Sequence, residues 1–165
     1  LAAELARQSA GRVLLIDASL DDQGLSIHYA PRKPGLLDVL AQPALDPLPL
    51  IQSPKGLEYD FLPAGNRPVM EGTALPADAL QALLNQLGEH YRFIVLDAAP
   101  VLHHPDVLPI AARVDACVLV VTGDETRWEV AQAAVTRLQQ AGARLAGCIF
   151  NRRRYPLPQW LYRRL

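Results

Sequence analysis

The sequence has little that would place the chain among disulfide-rich, metal-binding or membrane-spanning proteins. Only two of its 165 residues are cysteines, Cys117 and Cys148. Both lie inside apolar runs, so we expect buried, reduced thiols rather than a disulfide framework or a metal site. No apolar run approaches the roughly 20 residues of a membrane span, and no signal peptide is visible. The net charge of −1 gives no electrostatic reason to expect nucleic-acid binding.

Lysine and glycine are also missing where a phosphate-binding loop would need them. The two lysines are Lys33 and Lys55, and neither follows a glycine-rich turn. A loop of the form G-x-x-x-x-G-K-[ST], whose backbone N–H groups and lysine hold phosphates, is therefore not found in these residues. The first residue, Leu1, falls inside a helical pattern, so we expect the chain to be a fragment of a longer polypeptide.

Apolar runs predict a parallel β-sheet. Four of them are continuous, which is typical of strands that are covered on both faces. A weaker fifth run lies between Gly56 and Pro63. The predicted strands are Val13–Ile16, Phe93–Leu96, Cys117–Val121, Ala146–Phe150 and the weaker Leu57–Leu62.

Helical patterns separate these strands. Residues 76–90 place leucines at 80, 83, 84 and 87 on one stripe. Further helices are expected at residues 1–10, 35–41, 105–112 and 127–141. Strands that alternate with helices predict an α/β fold, with a mostly parallel sheet and helices on both faces. The proline-rich stretch 22–75 is interpreted as an excursion over the sheet rather than a second domain.

Polar side chains follow three of the predicted strands. Asp17 and Asp97 each end a strand, and in open parallel sheets ligands bind at the carboxyl ends of the strands. Two carboxylates there can hold Mg²⁺, and one can accept a proton. The alternative is that each aspartate caps a turn. Asn151, at the end of the last strand, either offers a donor and an acceptor to a base edge or closes a turn.

These features together resemble the deviant-Walker P-loop proteins, the SIMIBI-like NTPases that include the MinD and ParA ATPases and the bacterial tyrosine kinases. LAAELARQSAGRVLLIDASL at 1–20 resembles their helix and second strand. The pieces PGLLDVLAQ at 34–42 and FLPAG at 61–65 favour the tyrosine kinases, as does the order of FIVLDAAPVL at 93–102 and the segment 113–152. In that family such domains act in capsular and exopolysaccharide production.

The resemblance implies a P-loop NTPase domain at residues 1–155 without its first strand and P-loop, and a basic, tyrosine-containing tail at 156–165. It implies ATP and Mg²⁺ as cofactors. Asp17 would be the Walker A′ aspartate and the candidate base, and Asp97 the Walker B aspartate. The full implied set is Asp17 and Asp97 for catalysis and metal, Asn151, Arg152 and Ser19 for the nucleotide, and Tyr155 and Tyr162 as phosphate acceptors.

Departures from the family pattern put activity in question. Ser19 stands where a second aspartate is usual, and Asp21 and Asp22 stand where two arginines are usual. Anions in place of cations beside a triphosphate reverse the local field. The P-loop expected just before Leu1 was either cut off or lost. The alternatives to a kinase are therefore a degenerate regulatory domain of the polysaccharide export machinery and a MinD- or ParA-like positioning ATPase.

The resemblance also implies a place and partners. The domain is expected in the cytoplasm, at the inner face of the bacterial inner membrane. A polysaccharide co-polymerase, a membrane adaptor or a membrane-spanning segment of the same polypeptide would hold it there. A homo-oligomer is also compatible with the family, whereas nucleic acid is not an expected partner.

Overall fold

A computed structural model of the chain describes residues 1–19, 24–66, 76–123 and 125–152. The chain divides into two compact units, residues 1–107 and 108–165, which are described separately. The first unit contains α1 (Ala2–Gln8), β1 (Val13–Ala18), α2 (Ser26–Tyr29), α3 (Leu36–Ala41), a 3-10 turn (Leu48–Leu50), β2 (Asp60–Leu62), α4 (Ala77–Gly88) and β3 (Phe93–Ala98). Every element of this unit that the sequence predicts is confirmed, with ends shifted by up to three residues.

The first unit is built on a three-stranded parallel sheet in the order β2-β1-β3. Leu15 in the central strand lies beside Phe61 on one side and Val95 on the other. Gln52 adds an antiparallel bridge to Phe61. The carboxyl ends of all three strands therefore meet at one edge of the sheet.

Burial of β1 follows from its continuous apolar sequence. All six of its residues are buried. Val13 and Leu15 pack with Ala2 of α1 and with Phe61. Leu14 and Ile16 point to the opposite face, as alternation requires, and are buried there as well. The predicted sheet with both faces covered is therefore confirmed at this strand.

The second unit contains β4 (Cys117–Thr122), α6 (Trp128–Gln140) and β5 (Leu145–Asn151), and the chain enters it through α5 (Val107–Ala111). The strands β4 and β5 pair in parallel, with α6 as the crossover between them. Ala134 and Leu138 of α6 are buried, as the predicted stripe requires.

The prediction that β4 and β5 are covered on both faces is wrong for this unit. Val118, Val120 and Ile149 are 42%, 59% and 46% exposed. The register pairs Val120 with Ile149, so these side chains share one face of the sheet. Among the described residues of this unit, α6 is the one helix longer than two turns, and it leaves Val118, Val120 and Ile149 uncovered within the unit.

The two cysteines illustrate the same point. Cys117 is half-buried and Cys148 is exposed, so the expectation of two buried thiols is wrong for Cys148. Its strand β5 is exposed along most of its length. Burial raises the pKa of the Cys117 thiol, which keeps it protonated and poorly nucleophilic.

The longest helix of the structure, α6, has 13 residues. Across the ranges given above, the chain has no helix with the length and apolar character needed to span a bilayer.

Candidate functional site

The carboxylate of Asp17 is fully buried at the end of β1, and among the described residues Ser19 and Ser26 donate hydrogen bonds to it. Its Oδ1 accepts the backbone N–H of Ser19 at 3.0 Å. Its Oδ2 accepts both the backbone N–H of Ser26, at 2.7 Å, and the Ser26 hydroxyl, at 2.6 Å. These bonds offset the cost of removing a carboxylate from water. They also fix the direction in which Asp17 presents its oxygens.

Asp97 lies directly beside Asp17. The two residues are register partners on the neighbouring strands β1 and β3, and adjacent strands run about 4.8 Å apart. Asp97 is exposed, whereas Asp17 is not. The structure therefore brings together the two predicted aspartates, one open to solvent and one locked in the protein. Oxygen ligands of this kind suit Mg²⁺.

Ser19 is buried, and its backbone N–H donates to the Asp17 side chain, which thereby caps the turn that follows β1. This is the turn-capping role that the sequence left as an alternative for Asp17. Asp21 and Asp22, the two anions that depart from the family pattern, lie outside the described residues.

The loop after β3 turns sharply beyond Asp97. The backbone N–H groups of His103 and His104 both donate to the carbonyl oxygen of Pro100, at 3.0 Å. No group of three or more His, Cys, Asp or Glu side chains placed to hold a metal ion occurs among the residues that the structure describes. Within the described residues, a metal ion at Asp17 and Asp97 would therefore need further ligands from water or from a bound phosphate.

In the second unit, Asn151 ends β5 and is exposed. Its Oδ1 accepts the backbone N–H of Arg152 at 2.9 Å, and Arg152 has a positive φ of 53°. The Asn151 side chain thus bonds to the backbone of the next residue. Contact of Asn151 or Arg152 with a nucleotide stays a prediction. The acceptor candidates Tyr155 and Tyr162 lie outside the described residues.

The motif segments PGLLD and LPAG hydrogen-bond to each other, a contact that the sequence does not predict. The backbone N–H groups of Leu36 and Leu37, in PGLLD, donate to the carbonyl oxygens of Pro63 and Ala64, in LPAG, at 2.8 and 2.9 Å. We call residues 35–38 and 63–66 together the loop clamp. The first-turn donors of a helix lack partners within the helix, and the loop supplies them.

Asp38 completes the loop clamp from the other side. Its Oδ2 accepts the backbone N–H groups of Gly35 at 2.8 Å and Asn66 at 3.0 Å. A Cβ at Gly65, where φ is +96°, would lie 2.5 Å from this oxygen. The spacing of Gly35 and Asp38 is that of a capping pair and was the available signal. The partner loop is 28 residues away in sequence, so no local pattern identifies it.

A different polar network lies at the amino ends of the same strands. Asp60 Oδ2 accepts from the Arg12 guanidinium at 2.7 Å and from the Tyr91 hydroxyl at 3.0 Å, and the Ser53 hydroxyl donates to Oδ1. The Arg12 guanidinium also lies 4.8 Å from the centre of the Tyr91 ring. This end of the sheet is opposite the edge at which Asp17 and Asp97 lie.

Comparisons with known proteins agree with this geometry. No protein-family model matches the chain. Tyrosine-protein kinase Etk of Escherichia coli K12 is 32% identical over 155 residues, which are 92% of this chain and 21% of that protein. The chain spans about a fifth of the length of Etk and of several other curated relatives that it matches.

Solved structures give the same assignment. The VpsO kinase domain has a TM-score of 0.78 and 28% identity, over 93% of this chain and 75% of that one. A ParA family ATPase from Chlorobium tepidum has a TM-score of 0.67 over 92% of this chain and 65% of that one, and its 17% identity shows the fold alone. The chain is therefore homologous to the bacterial tyrosine-protein kinases and shares the MinD/ParA-like P-loop NTPase fold of their kinase domains.

Proposed function

We propose that the chain is the ATP-binding part of a tyrosine autokinase-like protein that acts in exopolysaccharide or capsule biosynthesis. The observation that carries the proposal is the pairing of Asp17 with Asp97 at the carboxyl edge of the sheet. That edge is where ligands bind in open α/β folds. The kinase names of its relatives and structural neighbours support the same reading.

The residues present fit a magnesium ion in part. Asp97 is exposed and offers hard oxygen ligands, and Asp17 adds negative charge beside it. Mg²⁺ bound there would neutralise phosphate charge during phosphoryl transfer. The lysine and the glycine-rich amide cradle for the phosphates are not among these 165 residues. In the proposal, Asp17 accepts the proton of the tyrosine hydroxyl, and Tyr155 and Tyr162 accept phosphate.

The remaining parts of the proposal concern the nucleotide and the setting. Asn151, Arg152 and Ser19 are assigned to nucleotide contacts by the family resemblance. The proposed location is the inner face of the bacterial inner membrane. A polysaccharide co-polymerase, a membrane adaptor or a membrane-spanning segment of the same polypeptide would hold the domain there, and copies of it would associate as a homo-oligomer.

The test is autophosphorylation of the full-length gene product with radiolabelled Mg·ATP. Asp97→Asn should lower tyrosine labelling by about 100-fold or more, because it removes the carboxylate that would hold the Mg²⁺ that neutralises phosphate charge. Asp17→Asn should abolish labelling as well. Asp78→Asn, at an exposed aspartate of α4, is the matched control and should leave labelling unchanged. Full labelling of Asp97→Asn would refute the assignment.

A second candidate is a non-catalytic regulatory domain of the polysaccharide export machinery. Ser19, Asp21 and Asp22 favour it, since they remove the expected carboxylate and cations from the A′ motif. It predicts no labelling by the full-length product. For the 165-residue chain alone, both candidates predict no ATP binding tighter than roughly millimolar, because the main phosphate contacts are absent. Micromolar affinity in calorimetry would contradict that expectation.

A MinD- or ParA-like positioning ATPase is the third candidate, and it is supported by the fold alone. It predicts dimerisation that depends on ATP. Sedimentation of the full-length product with and without Mg·ATP separates it from the kinase, which predicts tyrosine labelling.

A further inference from the structure

The Ser26 hydroxyl joins the proposed site to the loop clamp. Its oxygen accepts the backbone N–H of Ala64 at 2.8 Å, and the hydroxyl donates to Asp17 Oδ2 at 2.6 Å. A hydroxyl has one proton to donate. Because the Ala64 N–H occupies a lone pair, the proton of Ser26 is directed to the carboxylate.

We propose that Ser26 is a positioning residue: its hydroxyl links the LPAG loop to the Asp17 carboxylate, so that the position of the loop affects the orientation of the carboxylate. The importance of this for phosphoryl transfer rests on the proposed function, but the positioning itself does not. Among the described residues, Asp17 Oδ2 accepts two hydrogen bonds from Ser26, while Oδ1 accepts one from the Ser19 N–H. Ser26 therefore contributes directly to the orientation of Oδ2.

Gly24 packs directly against the Asp17 carboxylate. A Cβ at Gly24 would lie 2.6 Å from Asp17 Oδ2 and 2.8 Å from Oδ1. At Gly24 there is thus space for a hydrogen atom but not for a side chain. If the Ser26 hydroxyl is removed, the Ala64 N–H loses this acceptor, and Asp17 Oδ2 loses the hydroxyl donor while it keeps the Ser26 N–H.

The first experiment measures the chain without any ligand. Asp17 is followed through its ¹³C carboxyl resonance, assigned with Asp17→Asn, and the Ala64 N–H through its hydrogen exchange. Ser26→Ala should move the Asp17 resonance and speed exchange at Ala64 by about tenfold, the effect of losing one hydrogen bond. Ser26→Thr keeps the hydroxyl and should restore both values.

The matched control is Ser53→Ala. Ser53 also donates its hydroxyl to an aspartate, Asp60, but at the opposite end of the sheet. This variant should leave the Asp17 resonance and the Ala64 exchange rate unchanged. The proposal is overturned if Ser26→Ala leaves the Asp17 resonance in place, if Ser26→Thr fails to restore it, or if Ser53→Ala moves it equally.

The second experiment uses the full-length gene product and Mg·ATP. Ser26→Ala should lower kcat for autophosphorylation about tenfold, with KM for ATP within twofold, because a misdirected carboxylate impairs the reaction more than binding. Ser26→Thr should recover kcat. A tenfold rise in KM for ATP with unchanged kcat would refute the proposed effect of Ser26 on the phosphoryl-transfer step. Absence of labelling in the unchanged protein would refute the proposed function, while the resonance measurement would still decide the positioning role.

Discussion

The two ends of the three-stranded sheet each hold a desolvated aspartate, and they hold it by different means. At the amino end, Asp60 receives hydrogen bonds from side chains that include the Arg12 cation. At the carboxyl end, the donors to Asp17 within the described part of the chain are neutral: two backbone N–H groups and one hydroxyl. The charge of Asp60 is thus balanced within the fold, whereas the charge at the Asp17 end would be stabilised by an incoming cation.

The titration of the amino-end network follows from this balance. Burial alone would raise the pKa of Asp60, but hydrogen bonds from Ser53, Arg12 and Tyr91 outweigh it and hold the pKa below its ordinary value of 3.8. Burial, together with the hydrogen bond to Asp60, raises the pKa of Tyr91 to about 12. The amino-end network therefore stabilises the fold over a pH range that is limited by protonation of Asp60 on the acid side and by ionisation of Tyr91 on the alkaline side.

The largest loss of stability is expected from Gly35→Ala, because two backbone segments of the loop clamp come into close contact at Gly35. A Cβ at Gly35 would overlap the carbonyl oxygen of Pro63. Gly35→Ala should therefore separate the loop clamp and lower the free energy of unfolding by about 3 kcal/mol. Gly88→Ala is the control, since nothing lies within 4 Å of a Cβ there, and it should be neutral or stabilising by up to about 1 kcal/mol. Urea unfolding of both variants measures the difference, and equal midpoints would contradict it.

A smaller loss is expected from Asp60→Ala, which removes the acceptor of three hydrogen bonds at the amino end. The free energy of unfolding should fall by about 2–3 kcal/mol at neutral pH. The contribution of Asp60 is present above its unfolded pKa near 3.8 and disappears as pH falls through its lower folded pKa. The unfolding midpoints of the two proteins should approach each other as the pH is lowered toward 2. A constant difference across that range would show that Asp60 acts through packing alone.

Tyr91→Phe should have a smaller effect, about 1 kcal/mol at neutral pH, because one hydrogen bond to Asp60 is lost and the ring remains. The folded pKa of Tyr91 lies above its ordinary value of 10, so its contribution is present below pH 10 and is lost as pH rises toward 12. The variant should lack this alkaline loss. Tyr59, whose pKa burial also raises, is present in both proteins, so the difference between their profiles isolates Tyr91.

The smallest effect is expected from Arg12→Gln. The Arg12 side chain is 63% exposed, and exposed ion pairs contribute little. The free energy of unfolding should fall by about 0.5 kcal/mol or less, and the difference should shrink in 1 M salt. A loss as large as that of Asp60→Ala would mean that the amino end depends on the cation itself. Asp60 and Asp17 would then differ mainly in whether a cation neutralises the carboxylate, and less in the number and kind of hydrogen bonds it accepts.

The strands and helices could be predicted because their signals are local. The apolar run at Val13–Ile16 and the leucine stripe in residues 76–90 each specify an element without reference to the rest of the chain. The pairing of Asp17 with Asp97 was also predictable, since parallel strands place their carboxyl ends at one edge. Family resemblance then supplied the kinase assignment.

The contacts around the site could not be predicted in the same way. Ser26 and Ala64 are 38 residues apart, and nothing in either segment indicates that they meet. Burial of the last two strands was predicted wrongly for a related reason. A continuous apolar run predicts a strand that is buried on both faces, but it does not identify the helices that would pack on those faces. In the structure Val120 is exposed.

The open sheet face formed by Val118, Val120 and Ile149 has a practical consequence for handling the protein. Contiguous apolar side chains in water favour association between copies, and that tendency grows with protein concentration. Ammonium sulfate and cold storage act on it in opposite directions, since excluded salts strengthen apolar association and cooling weakens it. Dilute samples in low-sulfate buffer, kept cold, are therefore the conditions under which the chain should remain dispersed longest.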